Sequence, residues 1–264
     1  MIIYIEFLKM DNLSDNQVSV YEEPAQEKIR KFIRIEALFA RIIFFKSKEN
    51  KIESYQSISA LCELHELLSR SDIKSELIRE IETHNTYFKK IKDLPDADSD
   101  KLHSILEKQK ALLDLTYSVK SNYLDYLEND IVFKTLSKNT LSQIQPSSVE
   151  FWFTRDIMFR ETQIDLWIEP LMFIKKSIDF ILDLVRKSGN IQDKLATKGF
   201  IIEKLDQKKN ILLIRVTLTS DVYYYPQISV GKQRLNIMFM TKDDKNNFIP
   251  HQEDVSFVLS ICSL

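Results

Sequence analysis

Residues 211–240 read ILLIRVTLTSDVYYYPQISVGKQRLNIMFM, and the fold is decided there. Leu212, Ile214, Val216 and Leu218 alternate with Arg215, Thr217 and Thr219, while Leu235, Ile237 and Phe239 alternate with Arg234, Asn236 and Met238. Successive side chains of a strand point to opposite faces, so each run predicts a strand with one apolar and one mixed face. Residues 199–205, 223–229 and 254–261 extend the pattern, separated by the turn-rich DQKKN and TKDDKNN. The C-terminal part therefore predicts a mostly antiparallel sheet, expected as a meander.

Upstream the period changes. From Pro24 to about residue 188 apolar residues recur at helical spacing, beginning with Ile29, Phe32, Ile35, Phe39 and Ile42. That first helix should end near residue 45; a second is expected over 57–70 and a third after an Asp72 cap. The LPDAD stretch at 94–98 breaks the pattern, and Leu102 to Leu127 gives one long helix or a pair. Polar residues 138–148 read as a loop, and Val149–Phe153 as a first strand of the sheet. A helix over 161–188 follows, kinked at Pro170 and capped by Gly189. Near the start, Val18–Tyr21 is a short extended piece expected to join the sheet. The expectation is an α+β chain: a flexible extension over 1–17, a mainly helical, dimerising domain over 18–145, and a β domain over 146–264 whose helix packs with the helical part.

Composition narrows the chemistry. The 264 residues hold 37 Lys and Arg against 39 Asp and Glu, a formal charge of -2, so no global field draws the chain to nucleic acid or anionic lipid. Glycine occurs only at 189, 199 and 231, at least ten positions apart. Dinucleotide and P-loop fingerprints need closely spaced glycines to bring backbone against phosphate, so neither can be written. The nucleophile elbow also fails, since residues 191, 201 and 233 are Ile, Ile and Gln. Cys62 and Cys262 form no C-x-x-C pair, and the four histidines are scattered. Ser71-x-x-Lys74 matches a two-residue motif that lacks its companions and reads as a helix start. No catalytic group, metal site or cofactor is predicted. The Met1–Leu8 run is too short to span a bilayer and lacks a small-residue cleavage site, so neither a membrane span nor export is expected.

The mixed strand face is the strongest binding candidate. Lys232, Arg234 and Arg215 accompany Met238 and the run Tyr223–Tyr225, a combination of charge and apolar anchors suited to a short peptide. An exposed strand face bearing charge is also what a solvated sheet presents, and spacing leaves both readings open. Arg30, Arg34 and Arg41 form a second basic stripe on the first helix, with the same ambiguity. The basic residues and aromatics leave a nucleic-acid-binding module or another peptide adaptor as the alternative function.

Four blocks carry a resemblance: VYEEPAQEKIRKFIRIE at 20–36, RSDIKSELIREI at 70–81, ILDLVRKSG at 181–189, and YPQIS at 225–229 with Lys232 and Arg234 after it. In this order and spacing, over roughly 18–262, they resemble the ZapD family of Z-ring-associated cell-division proteins. The resemblance implies a non-enzymatic cytoplasmic homodimer, located at the midcell division site. Its partner would be the C-terminal tail of the tubulin-like GTPase FtsZ, with neither nucleic acid nor membrane involved. Binding the tail would cross-link filaments and support Z-ring assembly. Lys232 and Arg234 match the family's tail-binding positions, with Arg70 and Arg34 as helical-domain candidates; Arg215, Tyr225 and Met238 join them from the strand pattern. The chain departs from the family pattern at Met238, where some members carry a second arginine, at Val230 in place of glycine, and at Glu150 in place of histidine.

Overall fold

The computed structural model describes residues 18–91, 98–139 and 146–263. The extension expected over 1–17, most of the LPDAD break and residues 140–145 of the polar loop lie outside them. The chain divides into two compact units, one combining residues up to Lys31 with Leu182–Leu264, the other Phe32–Ile181. The α+β class and the N-terminal strand within the sheet are both present.

In the β unit, β1 (Val18–Pro24), β2 (Gly189–Ala196), β3 (Phe200–Lys204), β4 (Ile211–Thr219), β5 (Tyr224–Val230), β6 (Arg234–Lys242), β7 (Phe248–Pro250) and β8 (Val255–Ser263) build two antiparallel sheets. The first runs β1-β4-β8-β2; the second runs β3-β6-β5, with β7 pairing β6. The expected meander is thus corrected. β4 lies between β1 from the start of the described chain and β8 from its end, because burying both faces of Ile211–Leu218 demands a central position that neighbours in sequence do not fill. Ile214, Val216 and Leu218 of β4, Leu235, Ile237 and Phe239 of β6, and Val255, Phe257 and Leu259 of β8 make one buried cluster, so the sheets pack face to face. Each such side chain contributes about 1.5–3 kcal/mol by leaving water.

Gly189 is not a helix cap but the first residue of β2. A Cβ there would lie 1.9 Å from Ser260 Oγ on paired β8, so the residue allows a close approach of strands. Sheet-edge Pro226 sits in β5, which among the described residues pairs on one side only and needs no donor on the other.

In the helical unit and its flanks lie α1 (Glu27–Lys46), α2 (Lys51–Ser69), α3 (Ile73–Ile91), α4 (Ser99–Ser118), α5 (Asp125–Asn129), α6 (Ile131–Asn139), α7 (Ser147–Thr154), α8 (Ile157–Ile168) and α9 (Met172–Lys187). The Leu102–Leu127 pattern resolves into α4 and the short α5. Val149–Phe153 is helix rather than strand: Val149, Trp152 and Phe153 are buried at helical spacing, and Trp152 stacks on Trp167 at 6.1 Å. A five-residue apolar run fits either period, and the aromatic core decides it. Pro170 interrupts the expected long helix with a 3-10 turn over Glu169–Leu171, having no N–H for the helical ladder. Arg160, buried, donates from Nη1 to Ser54 Oγ at 2.6 Å and from Nη2 to the Glu49 carbonyl at 2.9 Å. No helix among the described residues is long and apolar enough to cross a membrane.

Candidate peptide-binding face

Strand β6 turns Leu235, Ile237 and Phe239 into the core and Arg234, Asn236, Met238 and Met240 away from it. Cross-strand register fixes their neighbours. On one side Lys204 is opposite Arg234, Ile202 opposite Asn236 and Phe200 opposite Met238. On the other, Gln227 is opposite Met238 and Tyr225 opposite Met240; β7 continues on the β3 side, where Phe248 is opposite Lys242. Residues opposite one another share a face, so the outer sheet carries an apolar strip of Phe200, Ile202, Met238, Tyr225 and Phe248. Phe200 is 41%, Ile202 51% and Phe248 59% exposed, so the strip presents apolar surface to solvent. Tyr225 meets Phe248 edge-on with centroids 5.7 Å apart, and Lys242 Nζ stands 5.4 Å from the Phe248 centroid. Lys204 and Arg234 flank the strip at one end, Lys242 at the other.

Of the sequence candidates, Arg234, Met238 and Tyr225 come together on this face. Lys232 lies beside it, exposed in a tight turn closed by the Gly231 N–H donating to the Arg234 carbonyl at 2.9 Å. Arg215 does not join them. It projects from the other sheet, on the side away from the shared core, where its Nε is 3.0 Å from Glu22 Oε1. Arg186 grips the same carboxylate from Nε at 2.9 Å and Nη2 at 3.0 Å. Alternation assigns Arg215 a face of its strand but cannot say which sheet the strand enters, and the pairing Glu22↔Arg215 comes from β1.

Arg34 and Arg70 belong to the helical unit, and both are paired. Arg34 donates from Nε and Nη2 to Glu63 Oε1 at 3.2 and 2.8 Å; Arg70 Nη2 is 2.5 Å from Glu66 Oε1. The rest of the first-helix stripe is likewise engaged, Arg30 with Glu23 and Arg41 with Gln56. Arg70 also borders a pocket of about 650 Å³ with Leu68, Lys74, Tyr123 and Leu124. Near it, burial lowers the His65 imidazole below its ordinary pKa despite the pull of Glu128 3.7 Å away.

Phe200, Ile202, Lys204, Lys242 and Phe248 escaped the sequence reading. The alternation over 200–204 marks a strand without telling which strand it pairs with, and the three residues of β7 are too few to show a period. Cys262 is buried on the other sheet, and burial pushes its thiol up to about 11, leaving little thiolate at neutral pH. Among the described residues no group of three or more His, Cys, Asp or Glu is placed to hold a metal ion.

Comparison with known proteins gives this face a context. A family profile described as ZapD, cell division protein, matches residues 33–238. The chain is 29% identical to the cell division protein ZapD of Methylococcus capsulatus, covering 94% of this chain and 99% of that protein. It is 27% identical to ZapD of Nitrosomonas eutropha, over 92% and 99%, and 27% identical to ZapD of Pectobacterium atrosepticum, over 92% and 97%. With the match running through the helical unit and on to Met238 at the centre of the outer sheet face, the chain belongs to the ZapD family of cell-division proteins.

Proposed function

We propose that this protein is a non-enzymatic division factor that binds the C-terminal tail of FtsZ through the outer face of the β3-β6-β5 sheet. As a cytoplasmic homodimer at midcell it then cross-links FtsZ filaments and supports Z-ring assembly, without cofactor, nucleic acid or membrane. The observation that carries the reading is the exposed apolar strip with cations at both ends. A tail that mixes carboxylates with apolar side chains meets guanidinium and ammonium groups at the ends and Phe200, Ile202, Met238 and Tyr225 between them. Arginine suits the position, since its fork takes a carboxylate through two parallel hydrogen bonds.

Cross-linking then follows from geometry. A twofold dimer presents two copies of the face, and a filament displays many tails, so contacts that are weak singly gain avidity when both faces are engaged. The test is co-sedimentation and electron microscopy of FtsZ with GTP. Wild-type protein should bundle full-length filaments and not tailless ones, and Arg234→Glu should abolish bundling while light scattering coupled to size exclusion still reports a dimer. Equal bundling of tailless filaments, or a strictly monomeric protein, would overturn the reading.

A further inference from the structure

Five cations gather at the turn end of the outer sheet: Lys204 and Arg234, opposite one another on β3 and β6, Lys208 and Lys209 in the β3–β4 connection, and Lys232 in the β5–β6 turn. All five are exposed, and among the described residues none has an ion-pair partner, whereas Arg34, Lys46, Arg70, Arg186 and Arg215 are each paired. Between the two connections opens a pocket of about 510 Å³. Lys209 and Lys232 line it together with Ile211 and Val230, both half-buried. On one wall the Gln26 amide donates to Asn210 Oδ1 at 2.6 Å and to the Ile211 carbonyl at 3.0 Å, which fixes that wall as polar. Asp206 is the single carboxylate of the lining among the described residues, and it accepts the Lys208 N–H at 2.9 Å.

We infer that this pocket is a carboxylate subsite for an acidic peptide. An Asp or Glu side chain, or a chain-terminal carboxylate, lies between Lys209 and Lys232 with its methylenes on Ile211 and Val230. The neighbouring apolar residues of the peptide run from Lys204 and Arg234 across Ile202 and Met238 towards Tyr225 and Phe248. The inference rests on the tail-binding reading and adds a direction to it: the acidic part of the tail occupies the turn end of the sheet, the apolar part its middle. Ammonium groups without ion-pair partners among the described residues, in a concave site that also offers Ile211 and Val230, favour this occupant, because ammonium ions already neutralised in surface pairs would have nothing left to offer a carboxylate.

The test is a fluorescence titration of full-length protein with a synthetic FtsZ tail peptide, the same peptide with Asp and Glu changed to Asn and Gln, and its C-terminally amidated form. Lys209→Glu should weaken the native peptide roughly tenfold. Lys245→Glu, an equal charge change in the exposed β6–β7 turn, should alter it by less than about twofold, and Lys209→Arg should restore it. Loss of affinity on amidation assigns the terminal carboxylate to the pocket; loss on the Asn and Gln exchange assigns side chains. Wild-type protein that binds no tail peptide overturns the tail-binding reading. Binding that responds to Arg234→Glu but not to Lys209→Glu, or equally to Lys209→Glu and Lys245→Glu, overturns the subsite alone, as does a single-stranded oligonucleotide that binds wild type more tightly than the peptide and is lost with Lys209→Glu.

Discussion

Replacing Glu22 with Gln removes one negative charge from between two guanidinium groups. Glu22 accepts from Arg186 at 2.9 and 3.0 Å and faces Arg215 Nε at 3.0 Å, with side chains only 19%, 25% and 20% exposed in that order. Removing one partner of a fully buried pair costs about 3–5 kcal/mol, and the residual exposure here brings the expectation to about 2–3 kcal/mol. For a chain of this size that is a fall in Tm of about 4–12 °C. By contrast Glu23→Gln breaks the Arg30 contact, whose arginine is 51% exposed, and should cost at most about 1 kcal/mol. Urea denaturation followed by circular dichroism measures both, and hydrogen exchange locates the loss: among the described residues β1 pairs only with β4, so its amides should lose protection first. The same triad decides the role of Arg215. Arg215→Gln should destabilise, its effect should be less than additive with Glu22→Gln, and tail-peptide affinity should be unchanged. A Glu22→Gln protein as stable as wild type, or an Arg215→Gln protein that folds normally but fails to bind the peptide, would refute the assignment of this triad to structure.

Other consequences concern single contacts. Gly189→Ala pushes a Cβ to within 1.9 Å of Ser260 Oγ and should cost about 1–3 kcal/mol in urea denaturation; Ser260→Ala in the same chain should recover part of it. Asp72 accepts the Ser75 N–H at 3.2 Å at the start of α3, and hydrogen bonds from Ser75 hold its carboxyl below the ordinary 3.8. Because the folded value is the lower one, this stabilisation is present above the unfolded value and is lost as pH falls through the folded one. Asp72→Asn, which keeps a capping side chain, should therefore flatten the acid limb of the stability profile while changing the urea midpoint little at neutral pH. Ile202→Ser removes an exposed apolar side chain from the strip and should weaken tail-peptide binding in the titration several-fold with no loss of stability.

The sequence announces those parts of the fold whose period is long and clean. Helices α1 to α3 and strands β4 and β6 run nine residues or more with a clear apolar period, and they stand within a few residues of their expected positions, except that α2 begins at Lys51 and not near 57. Shorter runs fail for a physical reason. In β2, Asn190, Gln192, Asp193 and Lys194 leave Ile191 and Leu195 as the only large apolar residues, and Leu195 is exposed, so the strand has no apolar face to read. Its place is secured instead by antiparallel pairing with β8, a long-range interaction no local window contains. The α7 segment fails in the opposite way, since its apolar content is high enough to satisfy either period.

The binding face shows the same division between what is local and what is not. That Arg234 and Met238 lie on one side of a strand follows from a period of two, and the resemblance over YPQIS and the following Lys232 and Arg234 points to the same strand pair. That Phe200, Ile202 and Lys204 lie beside them depends on β3 crossing to pair with β6 over some thirty positions of chain, with Leu205 N–H donating to the Gln233 carbonyl at 2.9 Å to hold the register. A shift of one residue there would turn Ile202 into the core and Ile201 outward, and Glu203 rather than Lys204 would stand opposite Arg234's side of the sheet. The cationic end of the face is therefore a product of register, and a carboxylate ligand would meet a neutralised arginine in the shifted pairing. Charge at this face cannot be read from composition, because a chain with a net charge of -2 makes its basic surface by deciding which strand lies next to which.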